Sequence, residues 1–332
     1  MTVTQPKCAE HTARAVGPER VLALDIGGTK LAAGMVTRAG DVLARRQVET
    51  NRSARPPAIM DALEAIAREA LDESGVPADA VGISYGGPVD YYSGVTVTCH
   101  HLGGWENIPL RDEMERRFHA PAFMDNDANA AALAEAMFGA GKGHDYIVYL
   151  TVSSGIGGGI IAAGRVYRGA TSMAGEIGHM TVLPDGPPCT CGRRGCIEAL
   201  ASGWSIARRA REALAAGETG SRLQHMQAEE PLTAQAVAAA AVAGDALALR
   251  IMSETAEFLA LGIGAAVNLL NPTLVVIGGG VSKAGAVLFD PLRARLQHYV
   301  LDTNFEAVTV VHAALGDDIG LLAGAALAWE PR

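Results

Sequence analysis

Two stretches of this 332-residue chain repeat one pattern. At 21–26 an apolar run, VLALDI, enters Gly27-Gly28-Thr29-Lys30 and leaves through a second run at 31–37, LAAGMVT. At 146–152 another run, YIVYLTV, enters a glycine-rich turn at 153–158 and returns at 159–163, extended by Arg165-Val166. Apolar runs on either side of a glycine turn make a β-hairpin. A repeated hairpin of this kind implies two similar domains facing each other across a cleft. The length agrees, since 332 residues exceed one ordinary core, and 49% hydrophobic residues suffice for two.

The rest of the pattern completes an α/β chain. A third antiparallel strand is expected at 42–49, and an amphipathic helix at 56–74 with Gly75 as its stop. A strand at 81–85 opens into Gly86-Gly87-Pro88; a helix at 110–118, a strand at 122–124 and an alanine-rich helix at 127–138 follow. Beyond the second hairpin, helices are expected at 202–215, 233–242 and 246–270, the last apolar nearly all round and therefore buried. A strand at 274–277 empties into Gly278-Gly279-Gly280, and a strand at 308–312 and a helix at 319–329 close the chain.

Charge and composition exclude several roles. The net charge is −9 with no Lys/Arg cluster, which argues against a nucleic-acid or anionic-membrane surface. The apolar run 258–270 is too short to span a bilayer. Residues 1–20 lack the apolar core of a signal peptide and read as a disordered extension or a cloning remnant. Few cysteines, mostly clustered, fit a reducing cytoplasm.

Three cysteines, Cys189, Cys191 and Cys196, lie within eight residues, and His179 lies ten before the first. Three thiolates and an imidazole are the donor set of a closed tetrahedral Zn2+ site. A redox pair or free buried thiols are the alternatives. With all four positions filled by protein, such a zinc holds a loop rigid, and Glu176 and Glu198 on either side are held with it.

The glycine turns carry a second chemistry. Backbone N–H groups converge on an anion where no Cβ obstructs them. In the first turn Asp25 can order Mg2+ through its waters, Thr29 can donate a hydroxyl hydrogen and Lys30 can neutralise charge. Two such turns point to nucleotide phosphates. The glycines at 278–280 suggest a further close approach, to an adenosine or to a packed helix. Asp125-Asn126-Asp127 precedes a helix, where one of the three is a natural N-cap; an Asp there can also take a proton from an attacking hydroxyl. Cys99-His100-His101 reads as a metal-site fragment or as a histidine lining a polar cleft. Tyr91, Tyr92 and Trp105 read as packing or as sugar-stacking platforms.

Together these segments resemble the ROK family of repressors, open reading frames and sugar kinases. The matching motifs are LDIGGTK (24–30), GGPVD (86–90), DNDANAAALAE (125–135), SSGIGGGI (153–160), GEIGH (175–179), CTCGRRGCIEA (189–199) and VIGGG (276–280), in family order. The resemblance implies an actin/hexokinase-like (ribonuclease H-like) two-domain fold. It would comprise a small domain at 21–126, completed by a helix at 318–330, and a large domain at 127–317 with a zinc loop at 179–196. It also implies phosphorylation of a hexose by ATP with Mg2+: glucose first, with N-acetylmannosamine, N-acetylglucosamine or fructose as rivals, and a non-catalytic sugar-responsive regulator as the further alternative.

Carried across, Asp127 becomes the general base. Asn126, Glu176, His179 and Glu198 become the collar around the sugar, joined by Gly87 and His101. Asp25, Gly27, Gly28, Thr29, Lys30, Ser154, Gly155, Gly157, Gly278 and Gly279 face the nucleotide, and His179, Cys189, Cys191 and Cys196 hold zinc. His179 would serve both metal and sugar through its two ring nitrogens. Glucose-using members show an Asn-Leu-Pro-Gly-Trp-like segment where this chain has His101-Leu102-Gly103-Gly104-Trp105, so a sugar-facing residue differs. Ser153-Ser154 stands where Gly-Thr is common, and Ser154 keeps the hydroxyl. The 20 residues before Val21 are too few for the DNA-binding helix-turn-helix of the family's repressors. The family also implies a homodimer or homotetramer.

Overall fold

The computed structural model describes residues 17–99 and 102–331. The first half opens with an antiparallel meander, β1 (Arg20–Ile26), β2 (Lys30–Thr37) and β3 (Val42–Glu49). Helix α1 (Pro56–Ser74) returns the chain to β4 (Ala80–Tyr85), parallel to β1. A two-stranded ribbon, β5 (Val89–Asp90) with β6 (Val95–Thr96), and α2 (Leu110–Phe118) precede β7 (Ala122–Asn126), parallel to β4. Then α3 (Asp127–Phe138) carries the chain to the second half.

That half repeats the plan with β8 (Ile147–Val152), β9 (Ile156–Ala162) and β10 (Arg165–Val166). Helices α4 (Ile197–Ala201), α5 (Gly203–Ala215), α6 (Leu223–Glu229), α7 (Ala234–Val242) and α8 (Ala246–Leu270) lead to β11 (Leu274–Gly278). After α9 (Ala286–Leu296) and α10 (Asp302–Ala307), β12 (Thr309–His312) ends the sheet and α11 (Ile319–Leu327) ends the fold. The strand orders are β3-β2-β1-β4-β7 and β10-β9-β8-β11-β12, one topology used twice. It is the actin/hexokinase-like fold.

The pattern follows from burial. β1, β4, β8 and β11 are central and apolar on both faces, hence their unbroken apolar runs. β3 lies at an edge and exposes its polar residues, which blunts the edge against further pairing. Pro56 starts α1 where a missing N–H is harmless, and Gly75, at φ 64°, ends it in the left-handed region. Along α8 the buried residues run from Leu247 to Val267, between an N-cap at Asp245 and a left-handed Asn271. No single helix among the described residues is long and apolar enough to cross a membrane.

Two close approaches place the functional cleft. α11 packs on the first sheet, where a Cβ on Gly82 of β4 would collide with the Gly324 carbonyl. A Cβ on Gly159 of β9 would lie 2.7 Å from both the Ala128 carbonyl oxygen and the Ala132 Cβ of α3. Helix α3 therefore touches α11, which lies on the first sheet, and β8 and β9 of the second sheet. Its first residue, Asp127, sits at their junction.

Several local expectations change. β9 begins at Ile156 rather than at 159, because Ile156 and Gly157 pair with Val152 and Thr151; the turn is only 153–155. β7 runs to Asn126, which puts Asp125 and Asn126 on the strand end. The helix expected at 202–215 begins at Gly203 with Ser202 as its N-cap, and α4 precedes it. The ribbon and α6, α9 and α10 are additional elements. α9 encloses Pro291, which reads locally as a helix breaker.

Candidate active site

Thr50 latches the first glycine turn. Its Oγ1 donates to the Gly27 carbonyl at 2.8 Å and its N–H donates to the Thr29 carbonyl at 3.0 Å. Asp25, the next-to-last residue of β1, accepts from Ser84 Oγ at 3.2 Å just before this turn. Burial pushes its carboxyl above the usual range, while Lys30 and the Ser84 hydrogen bond pull it back. The Gly86 N–H donates to the Ile26 carbonyl at 2.9 Å. A Cβ on Gly86 would stand 3.1 Å from the Ile26 carbonyl oxygen, 3.6 Å from Gly27 Cα and 3.8 Å from Asp127 Oδ2, so the turn and the carboxylate flank one point.

Asn126 caps α3, its Oδ1 accepting from the N–H groups of Ala128 (2.9 Å) and Asn129 (3.4 Å). Its Nδ2 donates to the Gly87 carbonyl at 3.2 Å and to Asp127 Oδ1 at 3.0 Å. The cap residue thus also orients the next carboxylate. Asp127 is exposed, yet its carboxyl is pushed up to about 7. Water reaches it from the cleft, but protein encloses its other sides, and this loss of hydration is the main cause. The Asp25 carboxylate adds to the rise and Glu176 contributes less; the Ala128 N–H and the Asn126 amide oppose it.

The opposite wall comes from the second half. Glu198, buried at the start of α4, accepts from the Ile156 N–H at 3.0 Å through Oε2 and from Thr190 Oγ1 at 3.0 Å through Oε1. His179 turns Nδ1 toward Cys189 Sγ (3.7 Å) and Nε2 toward Glu176 (3.9 Å). Glycines again permit the approach: Cβ atoms on Gly175 and Gly178 would strike the carbonyls of Gly158 and Ile156. The GEIGH segment therefore lies directly on β9.

The four donor atoms of His179, Cys189, Cys191 and Cys196 all lie within 4.8 Å of one another. Cys191 and Cys196 Sγ are 3.7 Å apart. Tetrahedral Zn–S bonds of about 2.3 Å require S···S edges of about 3.7 Å, so the cluster fits a zinc ion. No other such group of His, Cys, Asp or Glu occurs among the described residues.

Beside the second turn opens a cavity of about 690 Å³ lined by Ser153, Ser154, Trp204, Thr233, Gly280 and Lys283, among others. The Gly203 N–H donates to the Ser153 carbonyl at 2.8 Å, which ties the turn to the first residue of α5. Gly279 adopts φ 86°, and a Cβ there would meet the Val152 backbone. A Cβ on Gly278 would lie 2.8 Å from the Tyr149 hydroxyl. These two glycines serve close packing of the chain on itself, and Gly280 faces the cavity. Gly157 likewise lies within β9, where its bare Cα accommodates Ala128.

The structure thus gathers Asp25, Gly27, Gly86, Asn126 and Asp127 on one wall, and Ser154, Gly155, Glu176, His179 and Glu198 on the other. His100 and His101 lie outside the described residues, and with them the departure at 101. Cys99 donates to the Gly86 carbonyl at 3.6 Å. Trp105 is fully buried beside the Tyr85 ring at 5.4 Å, so packing is its role; Tyr92 is exposed. Sequence reasoning missed Thr190, Trp204 and Lys283. It also missed a buried ion network behind Asp127. Arg168 Nε donates to Asp125 Oδ2 at 2.7 Å, its NH2 donates to Glu330 Oε2 at 2.6 Å, and its guanidinium stacks 3.6 Å over the Tyr91 ring. Only the charge of Arg168, between β10 and GEIGH, hints at it locally.

The ROK family model matches residues 21–331. The chain is 36% identical over 316 residues to a glucokinase of Thermotoga maritima, covering 94% of this chain and 98% of that protein. It is 35% identical over 308 residues to an N-acetylmannosamine kinase of Citrobacter koseri, covering 92% and 98%. The solved structure of a ROK family glucokinase from Streptomyces griseus in complex with glucose and AMPPNP superposes with a TM-score of 0.80. The two are 34% identical, and the match covers 95% of this chain and all of that one.

Proposed function

The chain belongs to the ROK family, and from that premise we propose that it is an ATP-dependent hexose kinase whose first substrate is glucose. The observation that carries this reading is the Asp127 carboxylate, open to the cleft, oriented by Asn126 and flanked by the first glycine turn. Asp127 takes the proton of the attacking sugar hydroxyl. Asn126, Glu176, His179 and Glu198 hold the sugar, with Gly87 and His101. Asp25, Gly27, Gly28, Thr29 and Lys30 face the phosphates from one side, and Ser154, Gly155 and Gly157 from the other. Gly278 and Gly279 lead the chain into Gly280, which lines the cavity of about 690 Å³ that takes the adenosine.

Asp25 would hold Mg2+, which would supply charge neutralisation at the phosphates. Phosphoryl transfer asks a protein chiefly for positioning and charge stabilisation, and the residues above provide both. Zn2+ on His179, Cys189, Cys191 and Cys196 is assigned a structural role: it stiffens the loop from which Glu176, His179 and Glu198 reach the sugar. The molecule divides into a small domain, 21–126 completed by the C-terminal helix, and a large domain, 127–317; closure between them excludes water from the transfer. We also assign it to the cytoplasm, as a homodimer or homotetramer.

The test is ADP release from Mg-ATP with glucose, mannose, fructose, N-acetylglucosamine and N-acetylmannosamine. A dominant response to glucose is expected. A dominant response to N-acetylmannosamine would favour the second reading, which the Citrobacter koseri relative supports. Silence across the panel would overturn the kinase reading in favour of a sugar-responsive regulator.

A further inference from the structure

Between β11 and α9, residues 280–284 form a 3-10 turn beside the cavity assigned above to the adenosine. The Ser282 N–H donates to the Gly279 carbonyl at 3.2 Å, and a relay from the far edge strand adds side-chain bonds to the same turn. Ser282 is fully buried, and its Oγ donates to the Gly279 carbonyl at 2.7 Å. His312, the last residue of β12, places Nε2 3.0 Å from the same Oγ. A carbonyl only accepts and a hydroxyl has one hydrogen, so Ser282 gives its hydrogen to Gly279 and receives one from His312 Nε2. Nδ1 lies 2.7 Å from the Ala313 carbonyl oxygen, to which it donates only when both ring nitrogens carry hydrogen, and the Phe289 ring lies 5.7 Å away.

We propose that His312 and Ser282 are positioning residues for the nucleotide, acting through the Gly279 peptide; the proposal rests on the reading of this cavity as the ATP site. Gly279 is where the relay gains leverage. Its φ of 86° is open to few residues, and its Cα presses against the Val152 backbone at the end of β8. Val152 leads directly into the second glycine turn. The hydrogen bond to the Gly279 carbonyl therefore fixes both the cavity wall at Gly280 and Val281 and its spacing from Ser153 and Ser154. The sugar-facing residues Glu176, His179 and Glu198 make none of these contacts, so the relay acts on one substrate only.

The experiment is steady-state kinetics of the full chain with each substrate varied in turn. Ser282→Ala and His312→Leu are expected to raise KM for ATP about threefold to tenfold, the effect of one buried hydrogen bond, with KM for the sugar unchanged. His312→Gln, whose amide can donate to Ser282 Oγ, restores most of the loss. A KM for ATP within twofold of the parent in both Ser282→Ala and His312→Leu overturns the proposal. So does an equal rise in the sugar KM, which marks general loosening. Gly280→Phe separates the two levels: Gly280 lines the cavity and a Cβ there meets no atom within 4 Å, so a bulky side chain can be placed at the cavity wall without a backbone clash. If Gly280→Phe abolishes ATP binding while the relay variants behave as the parent, the relay alone fails. If it leaves ATP binding intact, the cavity reading fails and the relay with it.

Discussion

Glu198 Oε2 accepts the Ile156 N–H at 3.0 Å, so the carboxylate that follows the cysteine loop also holds the strand that leaves the second glycine turn. A Cβ on Gly155 would sit 2.6 Å from the same oxygen. The cysteine loop and the second glycine turn thus share one buried carboxylate. Glu198→Gln keeps the shape but offers an amide NH2 where a carboxylate oxygen now accepts. Hydrogen bonds to a charged group are worth about 1.5–3 kcal/mol, so kcat/KM for the sugar should fall about 10- to 100-fold. Thr190→Val, which removes one neutral donor to Oε1, should cost about threefold to tenfold with metal content unchanged. Parent-like kinetics in Glu198→Gln would refute the shared role.

Asp127 predicts a pH profile and a stability effect of definite sign. Its folded-state pKa of about 7 means that kcat rises as pH increases through neutrality, where the base loses its proton. Asp127→Ala should lower kcat at least about 100-fold while sugar still binds, as read by calorimetry.

For stability, the unfolded chain ionises this Asp in the ordinary range, near 3.9, and the folded chain only at about 7. Between these values the unfolded state binds fewer protons, so this group's contribution to stability falls as pH rises through that window. Asp127→Asn should therefore resist urea better than the parent at pH 8, with the gap closing toward about pH 4. An equal gap at both pH values would show that the carboxyl is not perturbed.

Metal content tests the cysteine cluster separately. Plasma emission should find about one Zn per chain. Cys191→Ser, or exhaustive treatment with a chelator, should remove it and weaken sugar binding, with ATP affinity affected less. A stable, fully active zinc-free protein would refute the stiffening role of the loop.

Arg168 carries the largest predicted stability effect. Arg168→Met leaves the fully buried Asp125 without its ion-pair partner, and such a loss costs about 3–5 kcal/mol. Equilibrium unfolding in urea measures it. The double variant Arg168→Met with Asp125→Asn should recover part of the loss, because the uncompensated charge is then gone.

Much of the site was legible because its signals are local. Asp25 and the Gly27 turn, Asn126 beside Asp127, and the Cys189, Cys191 and Cys196 spacing each depend on backbone geometry over a few residues. Apolar periodicity marked α1, and apolar residues nearly all round marked α8, for the same reason. α9 escaped because Pro291 breaks its local pattern and packing overrides the break. The glycines carry a packing role that no local pattern shows: the missing Cβ atoms of Gly157 and Gly279 accommodate Ala128 and Val152.

By itself the sequence determined the duplicated hairpins, the family motifs and the donor set of the cysteine loop, all written in short-range spacing. Only the tertiary structure decided that Asp125, Arg168 and Glu330 form one buried network and that His312 reaches Gly279 through Ser282. The physical reason is that these contacts join segments remote along the chain. No spacing rule marks a partner 43 or 162 residues away; the packing of the two sheets on α3 sets which side chains meet.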